Sequence, residues 1–125
     1  MRQAFCEHMK VISQTANRLT LFYAAECGLK AVCMRRLRLR TTAQLQPQLK
    51  AQGHDLMFWA RQLRLPASIT KGVITIRVRN EQVARDLSVA HQAWRYGVKV
   101  NGEDEPVLIV WLKDVCDWAI QELRQ

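Results

Sequence analysis

The stretch FYAAECGLKAV, residues 22–32, carries the pattern that decides the fold. Its apolar side chains recur every three or four residues, which is the period of an amphipathic α-helix; they are Phe22, Ala25, Leu29 and Val32. Gly28 interrupts this stripe, and we expect its missing side chain to let another helix approach closely. The pattern extends over residues 2–38, so the sequence predicts one long helix, or two helices divided near Asn17.

Three later stretches have the same period and predict further helices. The first, residues 54–65, ends before Pro66, and its apolar face comprises Leu56, Met57, Trp59, Ala60, Leu63 and Leu65. The second, residues 80–95, has an apolar stripe of Val83, Leu87, Ala90 and Trp94. The third begins at residue 103, where acidic residues suit the positive N-terminal pole of a helix. The predicted fold class is therefore mainly α, a four- to five-helix bundle in a single domain over residues 1–125.

Two short stretches have the alternating period of a β-strand. In residues 73–79, apolar and polar side chains partly alternate, and Ile74, Ile76 and Val78 define one side. Residues 97–100 form a second candidate strand, followed by an Asn-Gly turn at 101–102. These stretches predict a short β-hairpin added to the helical bundle.

The composition is that of a folded protein, with 49% hydrophobic and 24% charged residues. The longest apolar run, residues 106–112, is too short to span a bilayer. The first ten residues lack the apolar segment of a secretory signal. We therefore expect a cytoplasmic protein that does not associate with a membrane.

Charge is distributed unevenly along the chain, whose formal net charge is +8. Residues 1–100 carry a balance of +12 and residues 101–125 a balance of −4. A basic body with an acidic end is typical of proteins that bind polyanions, and it also suits contacts with a partner protein. The four arginines of residues 34–40 have two interpretations: a phosphate-binding edge, or a solvated helix C-terminus where cations suit the macrodipole.

The cysteines give no sign of a metal centre. They are Cys6, Cys27, Cys33 and Cys116, without a C-x-x-C pair or the spacing of a zinc module. We therefore expect four reduced, partly buried thiols, and we predict neither a metal nor a cofactor.

Residues 85–91, RDLSVAH, lie in the predicted helix 80–95 and carry its candidate chemistry. The side chains off the apolar stripe are Arg85, Asp86, Ser88, His91, Gln92 and Arg95. Arginine bonds phosphate oxygens and histidine transfers protons near neutral pH, so together they could cleave RNA without a metal. On a regular helix Arg85 and His91 would lie ~120° apart around the axis and ~9 Å along it. A two-fold axis could bring the arginine of one chain to the histidine of another, which points to a dimer.

Several short motifs, taken in order, resemble those of HEPN domains. Arg85, Asp86 and His91 match a motif in which histidine follows arginine after four to six residues, with a polar residue directly after the arginine. The stretch at residues 22–32 resembles the second helix of the family, and GHDL at 53–56 resembles the start of its next helix. AWRYG at 93–97 resembles the segment that often follows the histidine. The resemblance covers roughly residues 18–124.

This resemblance implies a helical bundle that dimerises through its signature helices. In many members it implies a metal-independent endoribonuclease that leaves a 2′,3′-cyclic phosphate, often as a toxin or phage-defence component paired with a nucleotidyltransferase-like antitoxin. His91 would transfer protons, Arg85 would contact phosphate, and Asp86 would orient one of them. Ser88 and Arg95 are the candidate RNA-binding residues of the same segment.

Two alternatives stand beside this interpretation. The same fold could lack catalysis and bind a nucleotide or a protein through its basic face. An unrelated helical DNA-binding or regulatory protein would need a recognition helix rich in polar base-reading side chains, whereas residues 54–65 are mostly apolar.

Overall fold

The structure, a computed structural model, describes residues 2–6, 18–44, 55–70, 75–77, 85–87, 89–96 and 99–125. These residues form six helices: α1, which includes residues 2–6, α2 (Arg18–Leu37), α3 (Leu56–Gln62), α4 (Ala67–Thr70), α5 (Val89–Arg95) and α6 (Asp104–Arg124). A 3-10 turn spans Thr42–Gln44, and two short strands, β1 (Thr75–Ile76) and β2 (Arg85–Asp86), form an antiparallel pair. The prediction of a mainly helical protein is confirmed.

The two long helices, α2 and α6, pack against each other side by side and run in the same direction. At their N-terminal ends Arg18 Nε lies 2.7 Å from Glu105 Oε1. At their C-terminal ends Arg35 donates a hydrogen bond of 2.8 Å from Nη1 to the backbone carbonyl of Glu122. These two contacts fix both the direction and the register of the pair.

Gly28 lies at a close approach of α1 and α6 to α2. A Cβ atom placed on Gly28 would be 3.0 Å from Ala119 Cβ on α6 and 3.0 Å from Phe5 Cε1 on α1. Both distances are shorter than ordinary carbon–carbon contacts. The prediction that the glycine permits close helix approach is therefore confirmed. The predicted break at Asn17 lies outside the described residues.

The core is built from the stripes that the periodicity predicted. On α2 the stripe is buried at Phe22, Ala25, Leu29 and Val32, and the predicted face of residues 54–65 is buried at Leu56, Met57, Trp59, Ala60, Leu63 and Leu65. The described helix α3 begins after Asp55, whose Oδ1 accepts a hydrogen bond of 3.1 Å from the Phe58 backbone N–H. This N-cap stabilises the helix start by satisfying an otherwise unpaired donor.

Helices α2 and α3 end with the same backbone motif. Arg38 and Arg64 have positive φ angles of 56° and 57°, in the left-handed region. The next residue in each case, Leu39 or Leu65, donates its N–H to the carbonyl five residues earlier, at 2.8 and 3.1 Å. This is the Schellman motif, in which glycine is the usual left-handed residue. Here arginine occupies that position at both ends.

The predicted helix over residues 80–95 is wrong at Arg85 and Asp86, and residues 80–84 lie outside the described part of the chain. Arg85 and Asp86 belong to β2, which pairs with β1, and the helix described here begins at Val89. Leu87, between them, is 1% exposed. The apolar stripe did not distinguish the two structures, because a strand followed by a helix buries Leu87 and Ala90 as well as a continuous helix does. Val83 lies outside the described residues.

The predicted hairpin is wrong in its pairing. Residues 75–76 are extended as predicted, but their partner is β2, with Thr75 opposite Asp86 and Ile76 opposite Arg85. Within the predicted strand 97–100, Val100 forms only an isolated bridge, and residues 97 and 98 lie outside the described part of the chain. Asn101 nevertheless donates its N–H to the carbonyl of Arg77 at 2.7 Å, so this segment does approach the end of β1.

All four cysteines are free thiols, as predicted. Cys6 is exposed, whereas Cys27, Cys33 and Cys116 are buried. Burial raises the pKa of Cys27 and of Cys33, and it raises the pKa of Cys116 to about 12. The three buried thiols are therefore held in the neutral, weakly nucleophilic form at physiological pH.

In the described parts of the chain, no helix combines the length and apolar character needed to cross a membrane.

Replacing Gly28 with alanine should destabilise the protein by about 1–2 kcal/mol. Overpacking against Ala119 Cβ, which is fixed to the backbone, outweighs the gain in helix propensity. Gly102→Ala is the matched control, because no atom lies within 4 Å of a Cβ placed there. Urea denaturation measures both variants, and equal stability of the two would contradict the close approach.

Replacing Arg38 or Arg64 with glycine should stabilise the protein by about 0.5–1 kcal/mol each, because glycine adopts a positive φ without a steric penalty. Arg61→Gly is the control, since it places glycine inside α3 and should cost about 1 kcal/mol. Thermal unfolding measures whether the melting temperature rises, as expected for Arg38→Gly and Arg64→Gly, or falls, as expected for Arg61→Gly. A loss of stability in both Arg38→Gly and Arg64→Gly would show that the left-handed conformation carries no penalty here.

Candidate functional site

His91 lies in the first turn of α5 and faces the core. It is 6% exposed, and its imidazole ring stacks on the ring of Phe22 with centroids 5.3 Å apart and an interplanar angle of 25°. The ring of Tyr23 meets it edge-on at 6.2 Å. Phe22 and Tyr23, in the second turn of α2, therefore form an aromatic wall that fixes the orientation of the histidine.

The rest of α5 joins this wall to the start of α6. Trp94 is half-buried, packs against Phe22 at 6.5 Å, and donates a hydrogen bond of 3.2 Å from Nε1 to Glu105 Oε2. Arg95, one turn after His91, is exposed, with its guanidinium 5.7 Å from the ring centroid of Tyr96. The helix thus directs its histidine into the core and its arginine toward solvent.

The other predicted site residues precede α5. Arg85 and Asp86 form β2, and the buried Leu87 connects this strand to the helix. The predicted helical geometry between Arg85 and His91 therefore does not apply, because these residues do not share one helix. Ser88 lies outside the described residues. Arg85 and Asp86 in β2 and His91 in α5 are five to six residues apart in sequence and belong to two different elements.

A partly buried ion pair lies on α2, one turn beyond the aromatic wall. Glu26 is 7% exposed, and its Oε2 lies 3.1 Å from Nζ of Lys30. The sequence interpretation treated this helix as apolar core and missed the pair. Its signal was the four-residue spacing of an acidic and a basic residue, which places them on the same helical face.

Arg77 connects the end of β1 to the N-terminus of α6. Its Nε lies 2.9 Å from Asp104 Oδ2, and its backbone N–H donates to the same oxygen at 2.8 Å. Asn101 Oδ1 accepts from the backbone N–H groups of Glu103 and Asp104, at 2.9 and 3.3 Å. These bonds satisfy donors at the start of α6 and hold β1 against it.

The Arg77 cluster also changes the ionisation of Asp104. The hydrogen bond from the guanidinium of Arg77 lowers the pKa of Asp104 below its ordinary value of 3.8. The same contact raises the pKa of Arg77. Part of the negative charge at the start of α6 is therefore neutralised within the chain. The sequence had suggested that these acidic residues could contact a partner protein.

Arginines cluster where α2 ends. Arg36 donates from Nη1 to the carbonyl of Leu63 at 2.6 Å and lies 5.6 Å from the ring centroid of Trp118. Arg35 and Arg38 are exposed at the same end. The end of α2 at Leu37 and these exposed cations agree with a solvated helix C-terminus and do not decide between the two interpretations. The alternative interpretation, phosphate binding, stays a prediction.

Among the described residues, no group of three or more His, Cys, Asp and Glu side chains is placed to hold a metal ion.

Comparison with known proteins gives no assignment: no family model, no curated protein and no solved structure matches this chain. The function is therefore argued from the geometry of α5 and from the charges around it.

Asp104→Asn should lower the urea midpoint at pH 7 and leave it nearly unchanged at low pH. The folded-state pKa of Asp104 lies below the unfolded value, so its stabilising effect is present above about pH 4 and is lost as the pH falls through the folded pKa. Asp114→Asn removes an exposed charge from the same helix and serves as the control. A difference between wild type and Asp104→Asn that stays constant from pH 7 to pH 2.5 would contradict the role of the carboxylate.

Proposed function

We propose that this protein is a HEPN-type endoribonuclease that acts as a homodimer without a metal ion. The observation that carries the proposal is the order of Arg85, Asp86 and His91 in the sequence, with the first two in β2 and His91 and Arg95 in α5, the next described helix. The mainly helical fold and the order of the motifs in the sequence support the same assignment.

The proposed reaction is an internal transesterification of RNA. His91 accepts the proton of a ribose 2′-OH, whose oxygen attacks the adjacent phosphorus and forms the cyclic phosphate as the bond to the 5′-oxygen breaks. Arg85 stabilises the charge that develops on the phosphoryl oxygens, and Asp86 orients one of these two groups. The departing 5′-oxygen needs a proton donor. The His91 of a second copy is the natural donor, which is why the proposal includes a dimer.

The charge of the protein supports RNA as the substrate. Residues 1–100 carry a balance of +12, and exposed arginines lie at the ends of α2 and α5. Cations of this kind attract a polyanion and bind phosphates without reading sequence. Arg95, exposed beside Tyr96 and one turn after His91 on α5, is a proposed RNA contact.

The stacking of His91 sets a condition on this mechanism. A ring that is 6% exposed reaches a ribose only if it rotates away from Phe22 or if α5 shifts when the dimer or the substrate binds. Catalytic contacts commonly tighten only in the substrate complex, so the condition is compatible with the proposed role.

The same burial favours a second candidate, a HEPN-like module that binds a nucleotide or protein without cutting RNA. Here His91 is a packing residue between α5 and α2, held by the rings of Phe22 and Tyr23. The basic surface would then serve binding alone.

The nuclease proposal further includes the cytoplasm as the compartment and a nucleotidyltransferase-like antitoxin as the partner, which the resemblance implies.

The decisive experiment is RNA cleavage in the presence of EDTA by wild type, His91→Phe and Arg85→Ala. Phenylalanine keeps an aromatic ring against Phe22 but cannot transfer a proton, so His91→Phe separates chemistry from packing. We expect His91→Phe to cleave RNA at least about 100-fold more slowly than wild type, the usual size of a general acid–base contribution. Wild type should leave 2′,3′-cyclic phosphate ends, detected by mass spectrometry.

Gln92→Ala is the matched control, since Gln92 is exposed and adjacent to His91 on α5. It should cleave as wild type does. If a folded His91→Phe variant cleaves RNA at the wild-type rate, the catalytic role of His91 is wrong. If wild type binds RNA but leaves it intact, the binding module is the correct assignment.

A further inference from the structure

An open groove of about 450 Å³ lies between α1 and the C-terminal ends of α2 and α6. Three arginines line it, Arg2, Arg35 and Arg40, together with the apolar side chains of Met34, Leu39 and Leu123. Among the described residues that line the groove, none is acidic. The groove therefore combines an apolar surface with a cluster of positive charge.

The walls of the groove are fixed by the way in which α2 ends. The Schellman motif brings the N–H of Leu39 to the carbonyl of Met34, so both side chains line the same groove. Gln44 Oε1 accepts from the backbone N–H groups of Arg40 and Thr41, at 2.7 and 3.2 Å, and this holds the segment after the helix. Such a site is organised before a ligand binds, which lowers the entropy that binding costs.

One of the three guanidinium groups is fixed in place. Arg35 uses Nη1 for the carbonyl of Glu122, and a guanidinium carries five N–H donors in all. The remaining donors suit the oxygens of a phosphate, which arginine binds through paired N–H groups. Arg40 is exposed, so a charged ligand reaches it without first displacing a buried partner.

Resting on the RNA-directed function proposed above, we propose that this groove binds one nucleotide unit of a single-stranded RNA. The phosphate lies between the arginines, and the base lies over Met34 and Leu39. Arginine planes also stack on unpaired bases, so the same residues bind both parts of the nucleotide. The open shape disfavours a long acyl chain, because such a chain would stay exposed to water.

A free nucleotide presents the same phosphate and base, so the experiment compares two ligands. The first is a single-stranded oligonucleotide with 2′-O-methyl riboses, which cannot undergo the proposed cleavage. The second is AMP. Binding of both to the full-length protein is measured by fluorescence anisotropy or calorimetry at several salt concentrations, and the methyl signal of Met34 is followed by NMR.

Arg40→Ala should weaken oligonucleotide binding by about tenfold and reduce the salt slope by about 1, the effect of losing one phosphate contact. Arg61→Ala is the matched control, because Arg61 is an exposed arginine near the end of α3 that does not line the groove. It should stay within about twofold of wild type. The Met34 methyl signal should shift when the oligonucleotide binds.

Equal weakening by Arg40→Ala and Arg61→Ala would overturn the groove assignment, and so would the absence of binding to wild type. Binding of AMP alone would overturn RNA as the ligand. Cleavage is assayed separately, so the two proposals fail independently. If the protein binds through the groove but does not cut RNA, only the nuclease proposal is contradicted. If Arg40→Ala and Arg61→Ala both cut RNA as well as wild type and Arg40→Ala does not weaken binding, only the groove proposal is contradicted.

Discussion

The close parallel contact of α2 and α6 at Gly28 is the constraint on which the rest of the structure depends. The absence of a Cβ at Gly28 lets Ala119 and Phe5 approach together, so three helices meet at one point. Because the two long helices run in the same direction, both N-termini lie at one end and both C-termini at the other. Their macrodipoles therefore add, so that the end with both N-termini favours negative charge and the end with both C-termini favours positive charge. The arrangement of ionised residues follows from this geometry.

At the N-terminal end, the acidic start of α6 meets Arg18 and Arg77, so its negative charge is balanced within the chain. At the C-terminal end, Arg35 and Arg36 bond the carbonyls of Glu122 and Leu63, where helices α6 and α3 finish. The balance is not equal at the two ends. Among the described residues, arginines exceed the nearby acidic groups where α2 ends, so this end carries an excess of positive charge. The uneven charge along the sequence thus gives two different ends: at the N-terminal end the charges pair within the chain, and at the C-terminal end positive charge is in excess.

The sequence predicted what depends on local period and failed where contacts are distant. The stripes of α2 and α3, the packing role of Gly28 and the acidic start of α6 follow from the spacing of side chains along one helix. The helix prediction was wrong at Arg85 and Asp86, because Leu87 and Ala90 are buried both in a continuous helix and in a strand followed by a shorter helix. The pairing of Arg77 with Asp104 spans 27 residues, so no local pattern reports it. The prediction that His91 lies off the apolar stripe was wrong, because the imidazole ring packs on Phe22 in the core and such a ring suits an apolar face as well as a polar one.

The candidate site and the core share the same residues of α2, and this limits how the protein can work. Phe22 belongs to the apolar stripe that packs the bundle, and it is also the ring on which His91 stacks. A movement that exposes His91 therefore opens a core contact, and its free-energy cost must be recovered from the dimer or the substrate. Trp94 on α5 donates a hydrogen bond to Glu105 at the start of α6, so a shift of α5 would also break this bond. A ribonuclease built in this way would be inactive as a monomer and active only when binding supplies that free energy, whereas a binding module would keep His91 packed throughout.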